Sequence, residues 1–225
     1  NSVTPADRRA AHQALEAASR EHGHDLAAIL HAAACSDPPD ETVANQLTSL
    51  ADSAGARGAL LTRAGMLLRA SQFSSSEQDR VERAISASES AIGAGAALMA
   101  RDIISDLDDA HLTNEQRGRG LTVRAFVSLF VADPDSIPDV APTFLRAADA
   151  FRSDSPERER SALLHAFTYM LATDMCTRDV TAERLSERLR ALDSSAGLEG
   201  AAAQAIGLFL GSDGTNIVPL IRDVL

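Results

Sequence analysis

Lysine is absent from the chain: all 21 basic residues among its 225 are arginine. That excludes a Walker A loop, whose lysine must reach the β- and γ-phosphates of a nucleotide. We read the arginine bias as that of a GC-rich coding sequence. Aromatic residues are only 4% of the chain and β-branched runs of strand type are scarce, whereas alanine is abundant. This is the composition of helices that approach closely over small side chains. Cysteine occurs twice, at Cys35 and Cys176, without metal-ligand spacing, so reduced thiols in a cytoplasmic protein are expected. No basic-then-apolar leader opens the sequence, and no apolar run approaches the length that crosses a bilayer. The expected protein is soluble, with no membrane partner. With a formal net charge of −11 and no basic stripe, the segment is not expected to touch nucleic acid directly.

What the chain does have is helical periodicity. From Ser76 to Ile92 the apolar residues Val81, Ala84, Ile85 and Ile92 recur at spacings of three and four. After a Gly93-Ala94-Gly95 break, Ala96, Ala100, Ile103, Ile104 and Leu107 do the same. Two amphipathic helices joined by a glycine turn form an αα-hairpin. Ser76-x-x-Asp79 and Thr113-x-x-Gln116 have the form of capping boxes. Thr4-Pro5 and Ser155-Pro156 place a hydroxyl at the N-cap and proline at the first helical position. Asp25 is expected to cap a short helix from Leu26 to Ala34, and Asp40 opens a helix to Ala54 that pairs with Ala59 to Gln72. Leu121 to Ala132 is apolar almost all round and is expected to be buried. Further helices are expected over Ile137–Phe151, over the stretch burying Leu163, Leu164, Phe167 and Leu171, over Thr181–Leu192 and Leu198–Leu210, and from about Ile217.

Hairpins starting at Asp40, Ser76, Thr113 and Ser155 repeat at about the period of helical-pair repeats. A lone hairpin cannot bury its apolar stripe, so such units stack. The expected fold is therefore all-α, antiparallel helix pairs stacked as a tetratricopeptide-like α-solenoid of about ten to twelve helices.

Three stretches carry a family resemblance: Leu30-His31-Ala32-Ala33-Ala34, Pro39-Asp40-Glu41-x-Val43-Ala44 and Ala51-x-x-Ala54-x-x-Arg57-Gly58. With Pro5-Ala6-Asp7-Arg8-Arg9-Ala10-Ala11-His12-x-Ala14-Leu15 before them and Leu145 to Ala148 after, the chain resembles the central helical region of the large ATP-dependent LuxR-type transcriptional regulators of actinobacteria. The resemblance implies that residues 1–38 are a helical cap or linker from a preceding domain and that 39–225 are one continuous array. It also implies an effector-sensing and self-assembling arm without catalysis, relaying a signal to ATPase and DNA-binding domains. No cofactor is expected in this segment; ATP would bind only in the ATPase domain. The alternative is a free-standing helical-repeat scaffold for a protein or peptide partner.

Solenoids bind on the concave face lined by the first helix of each pair. Arg80, Arg83, Arg117, Arg124, Arg160, His165 and Tyr169 are the candidate lining residues for a small-molecule effector or protein partner. Equally, each arginine can be a surface group paired with an acid, with Phe126, Phe167 and Tyr169 in the core. His22-x-His24 with His31 lacks the ligands to complete a metal shell. Asp106, Asp108 and Asp109 lack the alternating oxygens and closing glutamate of a calcium loop. Asp174, Cys176 and His165 do not compose a triad. No metal and no enzyme activity are expected.

Overall fold

The computed structural model describes residues 4–132, 134–173, 177–178, 182–192 and 197–211, and every regular element in them is helical. In order these are α1 (Pro5–Glu21), α2 (Asp25–Cys35), α3 (Glu41–Ala56), α4 (Leu60–Phe73), α5 (Glu77–Gly93) and α6 (Ala97–Ser105). There follow α7 (Asn114–Val131), α8 (Val140–Phe151), α9 (Pro156–Ala172), α10 (Ala182–Arg190) and α11 (Gly197–Leu210). Short 3-10 turns at Asp109–His111 and Ile137–Asp139 precede α7 and α8. Adjacent helices pack in pairs, which makes this an all-α helical-repeat fold. The chain divides into two compact units, residues 1–107 and 108–225.

The first unit is three hairpins built on one turn. Gly23, Gly58 and Gly95 have φ of +70°, +76° and +76°, a region that glycine enters without steric cost. After each glycine the next N–H reaches back to a carbonyl five residues earlier. His24 donates to Ser19 at 2.8 Å, Ala59 to Ala54 at 3.0 Å and Ala96 to Ala91 at 2.8 Å. These bonds satisfy carbonyls that the end of a helix leaves orphaned, in the Schellman manner. Two of the four hairpins expected from helix starts, those beginning at Asp40 and Ser76, are built on this turn, and the α1–α2 hairpin adds a third.

Capping chemistry fixes the other ends. Asp40 accepts from Val43 N–H at 3.1 Å and Ser76 from Asp79 N–H at 3.1 Å. Thr113 and Gln116 complete a reciprocal capping box, each side chain bonding the other's backbone N–H at 3.2 Å. Asp25 is not a cap: it is the first residue of α2, and His24 holds the N-cap position, because the glycine turn delivers the chain one residue earlier. Ser155 is the N-cap of α9, yet no hydrogen bond runs from the helix to its side chain.

Within the first unit Val43, Ala44 and Leu47 of α3 pack with Ala70 and Phe73 of α4 and Ala33 of α2. The Phe73 carbonyl also accepts from Asp40 N–H at 2.9 Å, closing the α3–α4 hairpin at its open end. In the second unit Phe144, Leu145 and Phe151 of α8 centre a core shared with Leu121 and Ala125 of α7, Leu163 and Met170 of α9, and Leu185 and Leu189 of α10. Two expectations fail here. The end of α7 is not buried all round, since Phe130 and Val131 are exposed, and Leu171 at the end of α9 is exposed as well. Helical periodicity marks a residue's direction, but burial requires a neighbour on that side. The expected helix from Ile217, together with Asp174, Cys176 and Thr181, lies outside the described residues.

Candidate functional site

The seven residues picked from the sequence fall into both units. Arg80 and Arg83 are on α5 of the first; Arg117 and Arg124 (α7), with Arg160, His165 and Tyr169 (α9), are in the second. Arg80 chelates Glu77 one turn back, its Nε 2.7 Å from Oε2. Arg83 is the hub of a polar node. It donates to Ser74 Oγ at 2.6 Å, Glu41 Oε1 at 2.6 Å and Asn45 Oδ1 at 2.8 Å, tying α5 to the start of α3 and the end of α4. The Arg83 hydrogen bond, followed by that from Ser75 N–H, holds the Glu41 carboxyl below the usual glutamate range.

In the second unit Arg124 forks onto Asp109, with contacts of 2.8 and 2.9 Å. Arg117 reaches the carbonyls of Asp109 and Leu112 at 3.4 Å. The Arg124 hydrogen bond is the main cause that lowers the Asp109 pKa, and the fields of Arg117 and Arg146 add to it. One guanidinium thus binds this carboxylate directly, in the turn before α7, and two others act on it through their fields. The acidic knot of Asp106, Asp108 and Asp109 resolves accordingly: Asp109 serves Arg124, and Asp108 caps the 3-10 turn by accepting from Ala110 N–H at 3.0 Å. Arg160 is half-buried on α9.

His165 and Tyr169 belong to an aromatic stack around Phe144, which is fully buried. The His165 ring lies 5.0 Å from that of Phe144 at 19°, Tyr169 lies 5.6 Å from it at 8°, and Phe126 meets both Phe144 and His165 edge-on at 5.2 and 5.3 Å. Burial lowers the His165 pKa, against the pull of a backbone hydrogen bond at Ser161. The imidazole is thus held towards its neutral form and acts as a flat apolar partner in the stack.

Sequence reasoning missed a further surface. Leu26, Leu61 and Leu98 each stand three positions after a turn glycine, at the start of α2, α4 and α6, and are 47%, 57% and 57% exposed. Leu61 also lines an open groove of about 330 Å³ between the second and third turns, together with Gly58 to Thr62, Gly93 and Ala94. Aligning the chain on its turn glycines, rather than on helix starts, would have found this pattern.

Among the described residues no three His, Cys, Asp or Glu side chains converge on a common point, and no helix is long and apolar enough to cross a membrane. The chain matches no family model, no curated protein and no solved structure.

Proposed function

We propose that this chain is a non-catalytic sensing and protein-interaction segment of a LuxR-type transcriptional regulator, which passes the binding of an effector or partner to ATPase and DNA-binding domains. The observation that carries the reading is the leucine that recurs, half exposed, at one position of three equivalent hairpins. Apolar side chains kept out of a core at a fixed place in a repeat suit a partner that spans several repeats. The arginines around Asp109 supply the polar counterpart in the second unit. A carboxylate paired on the surface contributes little to stability, so an acidic group of an effector can replace it at small cost. ATP is assigned to the ATPase domain alone, and the segment works in the cytoplasm with self-association as a second mode.

Sequencing the gene on both sides of residues 1–225 tests this. A P-loop ATPase upstream and a LuxR-type helix-turn-helix downstream are expected. A stop codon after Leu225 with no ATPase before Asn1 would sink the regulator and leave the free-standing scaffold, which the same leucine row supports. Under either reading, changing Leu26, Leu61 and Leu98 together to glutamine should abolish partner capture while the far-ultraviolet circular dichroism stays that of the parent.

A further inference from the structure

The three hairpins of the first unit can be aligned by counting from their turn glycines. Eleven positions before the glycine and eight after it, the second hairpin has Leu47 and Met66 and the third has Ala84 and Ile103, all buried and apolar. The first hairpin has His12 and His31 there. Their Nδ1 atoms stand 3.0 Å apart across the seam between α1 and α2. The ring centroids are 5.2 Å apart and the planes are tilted by 42°. The centroid spacing exceeds the nitrogen spacing by almost two ring radii, so the nitrogens point at one another head-on. Both imidazoles are half-buried.

The groups nearest in sequence are occupied. Glu16, one turn on from His12, is bound by Arg20 at 2.9 and 3.1 Å. Cys35, one turn on from His31, donates its thiol to the Arg9 carbonyl at 3.5 Å. The contact is a hydrogen bond, so one of the two Nδ1 atoms carries the proton; with both rings in the Nε2–H tautomer each Nδ1 instead gives a lone pair to a borderline transition metal. A metal 2.0–2.1 Å from both nitrogens would subtend about 94° at their 3.0 Å spacing. That is close to the cis angle of a square-planar or octahedral ion. To aim their lone pairs at a shared ion the rings must each pivot by roughly 40°, which half-exposed side chains on neighbouring helices can do.

We infer that the α1–α2 seam binds one divalent nickel or copper ion, with His12 Nδ1 and His31 Nδ1 as cis ligands and water in the remaining positions. The ion clips α1 to α2, and α1 has little else to hold it: none of its residues is fully buried. Metal binding therefore raises the stability of the hairpin by mass action.

The test is calorimetric titration of Ni²⁺ into the full 225-residue chain carrying no affinity tag. One equivalent of Ni²⁺ is expected, bound at least tenfold more tightly than by His12→Ala or His31→Ala. A variant with His22 and His24 both changed to alanine should bind as the parent does. A second variant guards against misfolding. His12→Leu with His31→Met installs the pair that the second hairpin carries; it should fold, ignore nickel, and show no nickel-dependent rise in Tm. Equal nickel binding by parent and His12→Leu/His31→Met chains overturns the assignment. So does binding that disappears with His22 and His24.

Discussion

Gly118→Ala and Gly120→Ala are the same substitution two residues apart on α7, and only the second should stabilise the fold. Replacing glycine by alanine inside a helix stabilises it by about 1 kcal/mol when the added methyl meets nothing. At Gly120 no heavy atom lies within 4 Å of the added Cβ, so the full gain is expected. At Gly118 the same atom would lie 2.5, 2.7 and 2.8 Å from Cε1, Cζ and Cδ1 of Phe151. That ring is 3% exposed and packed in the core of the second unit, so it has little room to retreat. Overpacking of this kind costs about 1–3 kcal/mol, which offsets or exceeds the helix gain. The two variants should differ by that same roughly 1–3 kcal/mol, or about 2–12 °C in Tm. Thermal and urea unfolding followed at 222 nm measure it. Shortening the ring by Phe151→Leu should make Gly118→Ala neutral or stabilising in that background. If Gly118→Ala instead raises stability as much as Gly120→Ala in the parent chain, the packing of α7 against Phe151 is wrong.

Tyr169→Ala should destabilise by roughly 1–3 kcal/mol, since it removes a ring stacked on Phe144, whereas Arg124→Ala should cost less than about 1 kcal/mol because its ion pair is on the surface; chemical denaturation separates the two. Loss of effector binding in Arg124→Ala would then report on binding alone. Arg188 and Glu159 face each other at 2.9 Å with side chains only 13% and 12% exposed, so Arg188→Met should cost about 3 kcal/mol by leaving a shielded carboxylate short of its main partner. Stability should fall with acid. Glu41 and Asp109 have lowered pKa values when folded, so their contribution is full above the ordinary carboxylate range and is lost as pH drops through it. His165 has the same sign: its contribution is full above about pH 6.5 and lost below as the buried ring is forced to take a proton. Urea midpoints from pH 7 to 4 should decline, with a smaller decline in Arg83→Met, whose Glu41 has lost its main hydrogen-bond donor.

The parts of this fold legible in the sequence were those set by local chemistry. Asp40, Ser76 and Thr113 bond backbone groups three residues away, so a four-residue window contains the whole interaction. The turn glycines are equally local. Burial is not, which is why Phe130 and Leu171, apolar and correctly phased, were wrongly placed inside. The sites behaved in the same way. Arg80 and Glu77 are a pair visible on one helix turn, but Arg83 takes its partners from positions 41, 45 and 74, and Arg188 from 149 and 159. His12 and His31 are separated by 19 residues and one turn, so no spacing motif joins them. Their meeting follows only once the hairpin is drawn with its glycine at the tip.

The sameness of the three turns bears on how this chain can change length. Each is left through the same six-residue hydrogen bond and the same left-handed glycine, so the geometry by which one hairpin hands the chain onward is largely independent of the side chains around it. A duplication or deletion that runs from one turn glycine to the next removes or adds a whole period, and both junctions it creates are turns the protein already makes. Breakpoints elsewhere would fuse unmatched helix faces. Such a chain is built to grow or shrink by whole hairpins, with each added copy bringing one more outward leucine to whatever lies along the row.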